Sequence, residues 1–291
     1  MTTNGLMLIE PAPAAVQTPA PTDPQHSKRR FVHQLFTTIA PRYDWFNRLA
    51  SLNMDRGWRR RAVAESGLAP GMDVLDVCTG TGDLALLCAQ RTQGEGLIAG
   101  LDFTEPMLKA ASRKQQEQPR HLGYPAGRVG SWARWGRGRD VAPPGRGGAP
   151  QADVHWLRGD AQALPFASGT FDRVFIGFST RNLSDLKAGI EEMNRVLKPH
   201  GKLVILETGR PSNPLVLAGY LLFLATVARL IGLALTGRLW PFTYLARSVK
   251  GFLRPSEFVT LITACGLAAS YLPLSGGLAS LYLATKPAGN A

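Results

Sequence analysis

The sequence predicts an α/β fold on a mostly parallel sheet, and three observations carry that expectation. From residue 72 onward, short apolar runs of strand length alternate with longer stretches of helical period, the order that β-α units produce. A glycine-bearing turn, "CTGTGD" at 78–83, separates the first of these runs from the first helix. Near the end of the chain two apolar runs flank Gly276 and Gly277, which reads as an antiparallel hairpin that closes the sheet.

Taken in order, strands are expected at 73–77, 97–103, 154–160, 171–178 and 201–208, with the terminal pair at 269–276 and 278–285. Helices are expected at 83–91, 105–117, 184–197 and 255–265. Lys198 and Pro199 stop the third of these helices and Gly201 leads into the next strand, because proline cannot continue the helical ladder. A chain of 291 residues that is 45% hydrophobic can bury a sizeable core. The expected organisation is a disordered tail over 1–27, one domain over 28–287, and an insertion over 118–151 within that domain.

The tail is rich in Pro, Ala and Thr without helical or strand period, a composition that buries too little surface to order itself. No Lys or Arg precedes Lys28 and Glu10 interrupts, which argues against a secretory signal or a transit peptide. The insertion holds Arg120, Arg128, Arg134, Arg137, Arg139 and Arg146 against Asp140 alone. It joins a helix to the following strand, at the end of an α/β sheet opposite the ligands, so a flexible insertion remote from the site is expected. A second reading makes it an anchor for anionic lipid or RNA through its arginines with Trp132 and Trp135.

The net charge of +12 resembles that of a nucleic-acid binder, but it is concentrated in this insertion and in two N-terminal runs, "SKRR" at 27–30 and "RGWRRR" at 56–61. No nucleic-acid partner is expected. Cys78, Cys88 and Cys265 are odd in number and form no CxxC pair, which suits buried small hydrophobes in a reducing cytosol rather than disulfides or a metal site.

The chemistry centres on "VLDVCTGTGDLALL" at 74–87. Gly80 and Gly82 let the backbone turn tightly and let a ligand approach the main chain. No GxxxxGK[ST] lysine is present and Leu84 and Ala85 break a GxGxxG pattern, so neither a P-loop nor the dinucleotide fingerprint is formed. Flanking acids Asp76 and Asp83 disfavour a pyrophosphate and suit a cationic ligand with hydroxyls. Asp102, ending the second strand, is placed to accept hydrogen bonds from a ribose, and Asp160 with Ala161 end the third strand within reach of an adenine amino group. Asp76 has two readings, a cofactor contact or a structural acid that caps the next helix or pairs with a lysine. Tyr43 is readable as core packing and Arg181 as a simple ion pair.

These residues, with "GLDFTEPMLKAA", "GDAQALPFASGTFDRVFIGFSTRNL" and "EEMNRVLKPHGKLVILET", resemble the class I S-adenosylmethionine-dependent methyltransferases of quinone biosynthesis, the C-methyltransferases of menaquinone and ubiquinone precursors. "FTTIAPRYDWFNRLASLNMDRGWRRRAV" at 36–63 and "FTYLARSVKGF" at 242–252 are similar to further segments of that family, so the resemblance runs from about 31 to 287 around the insertion. It implies a Rossmann-like fold with S-adenosyl-L-methionine as cofactor and no metal. It implies cofactor contacts from Asp76, Gly80, Thr81, Gly82, Asp102, Asp160 and Ala161. Tyr43, Asp44 and Asn47 would cover the cofactor and shape the acceptor pocket, and Arg181 and Asn182 would orient the ring or help deprotonate it. The implied reaction is C-methylation of a demethylated prenyl-naphthoquinol; a benzoquinol or a phytyl-naphthoquinol is the alternative acceptor. A non-catalytic cofactor-binding docking protein is the competing class.

Residues 214–237 are uncharged from Pro214 to Ala228 and then meet Arg229. That run is too interrupted for a span of about 20 apolar residues. An apolar lid over a hydrophobic channel or an interfacial helix is expected, against a buried helical hairpin. The expected location is cytoplasmic with peripheral contact at the inner face of the membrane, with a prenylated quinol as partner and a homodimer as an open expectation.

Overall fold

A computed structural model describes residues 24–93, 95–117, 154–211 and 213–288. Its elements are α1 (Pro24–Ile39), α2 (Tyr43–Ala50), α3 (Met54–Glu65), β1 (Val74–Val77), α4 (Asp83–Arg91), β2 (Ile98–Asp102), α5 (Glu105–Glu117), β3 (Val154–Arg158), β4 (Phe171–Gly177) and α6 (Leu186–Val196). There follow β5 (Leu197–Thr208), α7 (Pro214–Ala225), α8 (Val227–Thr236), α9 (Trp240–Gly251), α10 (Pro255–Ala264), β6 (Ala268–Leu274) and β7 (Ala279–Thr285).

The strands form one seven-stranded sheet in the order β3-β2-β1-β4-β5-β7-β6. Pairing is parallel from β3 to β5, whereas β7 runs antiparallel to both β5 and β6. This is the α/β fold on a mostly parallel sheet, closed by an antiparallel pair, that the sequence predicted. All four residues of β1 and all five of β2 are buried, as expected for central strands with helices on both faces. Alternate residues enter different layers. Leu75, Val77 and Ile176 pack with Ile190 and Met193 of α6 and with Phe258 and Ile262 of α10. Val74, Phe175 and Val204 pack on the other face with Val63 of α3, Leu84 of α4 and Trp156.

Two expected boundaries shift. Helix α1 begins at Pro24, inside the stretch read as tail; residues 1–23 and the 118–151 insertion lie outside the described residues. The expected turn at Lys198–Gly201 is instead an irregularity inside β5, where the register jumps from Phe171↔Leu197 to Arg173↔Lys202. His200 N donates to Lys286 O at 3.0 Å and Lys286 N to Gly201 O at 2.9 Å, so neighbouring backbone holds the bulge in the sheet. In the terminal hairpin Gly276 and Gly277 take φ of 68° and 93°, conformations that favour glycine.

A third apolar cluster positions the site. Leu35 and Ile39 of α1, Phe46 of α2, Leu224 of α7, Ala228 of α8, and Phe242 and Val249 of α9 pack together with Met107 of α5. These helices form a cap joined to the sheet domain through α5.

Gly82 shows how tightly the loop before α4 is packed. It sits at φ +83°, and a Cβ there would stand 2.5 Å from Trp156 Cη2 and 3.0 Å from Ala111 Cβ. Gly82→Ala is expected to cost about 2–4 kcal/mol, the combined scale of overpacking and left-handed strain. Urea unfolding of the two proteins measures it.

Candidate active site

Acids at the ends of neighbouring strands have different fates. Asp76 lies on the face of β1 that meets α4, and its carboxylate is buried. Its Oδ2 accepts from Thr79 Oγ1 at 2.6 Å and from Ala85 N at 3.1 Å, so it satisfies an amide in the first turn of α4. Its Oδ1 has no hydrogen-bond partner. Asp102, at the end of β2, instead reaches a cleft. Its Oδ2 accepts from Gly80 N at 2.9 Å and its Oδ1 from Thr104 N at 2.8 Å.

That cleft, of about 680 Å³, is lined by Cys78, Gly80, Asp102, Asp160, Ala161 and Gln162, with Arg29 and Phe36 reaching in from α1. Asp160 Oδ1 accepts from Gln162 N at 3.0 Å, and Arg29 Nη2 pairs with Asp160 Oδ2 at 2.8 Å. Gly80 offers bare backbone at φ +57°, where a Cβ would project to 3.9 Å from Tyr43 Cε1. Acids with free approach to a glycine backbone fit a cationic, hydroxyl-bearing ligand. Burial, with Asp102, Asp76 and Asp160 nearby, pushes the Cys78 thiol well above its usual range, so it stays a neutral wall.

A second cleft of about 790 Å³ adjoins the first, and Phe36, Tyr43 and Asn182 line both. Its walls are largely apolar, with Leu35, Ile39, Phe46, Trp58, Phe178 and Phe242 contributing. Its polar groups include Arg181 and Asn182 from the 3-10 turn after β4, and Tyr244 from α9. Tyr244 donates its hydroxyl to Asn182 Oδ1 at 3.2 Å. Arg181 Nη1 makes a close ion pair with Glu207 of β5, a fully buried carboxylate that also accepts from Thr180 Oγ1 at 2.5 Å and Thr208 N at 2.7 Å. Arg181 Nε has no hydrogen-bond partner. Burial raises the Tyr43 hydroxyl above its usual pKa against an opposing hydrogen bond with Asn47, so Tyr43 remains a neutral phenol.

Helix α2 is tied down over the glycine loop by charge. Thr81 Oγ1 donates to Asp44 Oδ1 at 2.6 Å, and Lys114 Nζ bridges Asp44 Oδ2 at 2.7 Å and Asp83 Oδ1 at 2.5 Å. Beside it, buried Arg59 pairs closely with Asp55 and stands 5.3 Å from the Phe178 ring centre.

The model of the ubiE/COQ5 methyltransferase family matches residues 24–122 and 146–286. The chain belongs to this family. A demethylmenaquinone methyltransferase of Desulfitobacterium hafniense is 34% identical over 262 residues, covering 89% of this chain and 91% of the relative. A ubiquinone/menaquinone biosynthesis C-methyltransferase UbiE of Geotalea uraniireducens is 36% identical over 256 residues, covering 88% and 96%. Among solved structures, a SAM-dependent methyltransferase from Thermotoga maritima aligns with a TM-score of 0.54 at 16% identity, over 87% of this chain and 99% of that one. One from Aquifex aeolicus gives 0.51 at 18% identity, over 78% and 88%. The chain is thus a class I methyltransferase in fold and a quinone-biosynthesis methyltransferase in family.

Within this methyltransferase the expected site residues divide. Gly80, Asp102, Asp160 and Ala161 line the first cleft; Tyr43 and Asn182 line both, and Arg181 and Asn47 the second. Asp76, Thr81 and Gly82 are not among the residues that line either cleft. Asp76 turns back to cap α4, Thr81 is bonded to Asp44, and Gly82 is occupied by packing against Trp156. Arg181 is ion-paired as the simpler reading held, yet it also faces the second cleft. Glu207, Tyr244, Arg29 and Arg59 were missed. For Glu207 a signal existed, an acid near the carboxyl end of a strand, the same one that marked Asp102.

Burial raises the Asp76 pKa from its ordinary 3.8 to about 7. Because the folded pKa is the higher, Asp76 contributes stability that is fully present below about pH 4 and lost as pH rises through about 7. Across that window wild type is expected to lose on the order of 4 kcal/mol relative to Asp76→Asn, at about 1.4 kcal/mol per pH unit. Urea midpoints of both proteins at a series of pH values check the sign.

Proposed function

We propose that this methyltransferase methylates a ring carbon of a demethylated prenyl-naphthoquinol, the step that yields menaquinol. The observation that carries this reading is the junction of an acid-lined cleft and an apolar cleft at Tyr43, Phe36 and Asn182. It supports a cationic donor on one side and a hydrophobic acceptor on the other, with the two reacting atoms brought together between them.

S-adenosylmethionine, when bound, supplies an electrophilic methyl group on a sulfonium. Gly80, Asp102, Asp160 and Ala161 would hold it. The acceptor carbon becomes nucleophilic when a ring hydroxyl is ionised, and Arg181 is the cation beside the apolar cleft that can stabilise that oxygen. Glu207 fixes the guanidinium in place at the edge of that cleft. The ring carbon gains the methyl and then gives up its proton to restore the aromatic ring. Charge is neutralised as the methyl moves, so an apolar, water-poor cleft favours the transfer.

A benzoquinol is the second reading, favoured by relatives such as the Geotalea protein whose name covers both pathways. Purified full-length protein given labelled cofactor, with reduced demethylmenaquinone and the demethylated ubiquinone precursor in parallel, tests the choice. Turnover of the naphthoquinol alone is the expected result. Preference for the benzoquinol would overturn the assignment of ring, and transfer to neither would overturn the quinol reading.

A further inference from the structure

The helical cap carries more exposed apolar surface than its own packing uses. On α7 the exposed residues Leu215, Ala218, Leu222 and Ala225 recur at helical spacing; on α8 they are Val227, Leu230 and Leu233. On α2 they are Trp45 and Leu49, continued by Leu52 just after its end. Leu215 is 83% exposed, Leu52 75% and Leu230 63%, values opposite to those of a core helix. Helix α8 packs against both α2 and α7, and the inner faces of all three share one apolar cluster. Their outer stripes are therefore neighbours on the far side of that cluster.

The segments that carry these stripes are rich in cations. Between Glu207 and Arg254 the chain carries Arg210, Arg229, Arg238, Arg247 and Lys250 and no acid, while Arg254 itself is paired with Glu257. Arg42 and Arg56, on the flanks of α2, are exposed, and Arg48 lies 5.9 Å from the Trp45 ring centre. Asp44 and Asp55, the acids of this region, are held in ion pairs with Lys114 and Arg59. Apolar stripes rimmed by cations complement an anionic lipid surface, where acyl chains meet phosphate.

Residues 214–236 are long and apolar enough in composition to cross a membrane. The chain breaks at Thr226, however, where φ is −116° and ψ −79°, and α7 and α8 pack against each other. Twelve helical residues extend about 18 Å, short of the roughly 30 Å hydrocarbon core. The geometry favours lying in the interface over spanning it.

We propose that α2, α7 and α8 form a docking face for anionic bilayers, and that the acceptor cleft opens into it. Ala50 and Ser51 line that cleft, and their neighbours Leu49 and Leu52 belong to the exposed stripe. An acceptor with a long apolar chain then enters the cleft from the lipid side without crossing water. The route of entry rests on the quinol reading; the docking face does not.

Flotation of the full-length protein with vesicles of phosphatidylcholine alone, or with 30% phosphatidylglycerol, separates the two. Binding to the anionic vesicles at least tenfold above the neutral ones is expected, weakened in high salt because surface charges are screened. The variant Leu52→Gln/Leu222→Gln/Leu230→Gln, which changes no residue lining either cleft, is expected to lose at least tenfold in binding. It should keep turnover of a short-chain, water-soluble quinol and lose turnover of a long-chain quinol presented in vesicles. Equal binding of wild type and variant, or no preference for anionic vesicles, would overturn the docking face. So would concentration-dependent dimerisation of wild type, abolished in the variant, without vesicle binding, since the stripes would then cover a second copy. Vesicle binding without turnover of any quinol would keep the face and remove the quinol route.

Discussion

Asp102→Ala is expected to weaken cofactor binding by about 100-fold or more. In the native chain its two oxygens hold Gly80 N and Thr104 N, so the carboxylate both faces the cleft and fixes the glycine loop beside it. Alanine removes the acceptor proposed for the cofactor hydroxyls and leaves two loop amides without their partner. Two hydrogen bonds to a charged group, at about 1.5 kcal/mol each, correspond to that factor. Asp102→Asn keeps one acceptor oxygen and should lose less. Calorimetric titration with S-adenosylmethionine gives the affinities directly; an unchanged dissociation constant for the alanine variant would place the cofactor elsewhere.

The second large effect concerns Arg181 and Glu207. Arg181→Leu leaves a fully buried carboxylate without its cation, and Glu207→Leu leaves a guanidinium without its anion and deprives Thr180 Oγ1 and Thr208 N of an acceptor. Each single variant is expected to lose about 3–5 kcal/mol of stability, because breaking a buried pair costs more than never having formed it. The double Leu variant should recover part of that loss. Turnover should behave differently and remain at least 100-fold down in all three, since the double variant restores packing but no donor to the ring oxygen. Urea unfolding beside turnover at saturating cofactor separates the roles. A double variant with near-native turnover would reduce the pair to a structural one.

Much of this fold was legible because its signals are local. The bounds of α4 and α5 coincide with the expected 83–91 and 105–117, where a glycine turn and a strand-end acid announce each start. The antiparallel close was legible from Gly276 and Gly277. What failed were contacts made across the sheet. Arg181 and Glu207 are 26 residues apart, on loops and strands whose pairing only the fold creates. Asp76 and Asp102 are both acids at strand ends, and no local pattern tells which will cap a helix and which will face a ligand. Position along the strand separates them: Asp76 pairs with Gly100, which shares its face of the sheet with Asp102, so Asp102 stands two residues nearer the carboxyl end. The apolar run at 214–237 was legible as apolar, while its exposure depends on how α7 and α8 pack within the cap.

Ring C-methylation is tested by a single-turnover reaction with methyl-labelled S-adenosylmethionine and a demethylated naphthoquinol, with the position of the label read by mass spectrometry. Label is expected on a ring carbon, formed at a rate that falls sharply in Arg181→Leu and Asp102→Ala. Label on a hydroxyl oxygen, or transfer that survives both substitutions, would contradict that expectation.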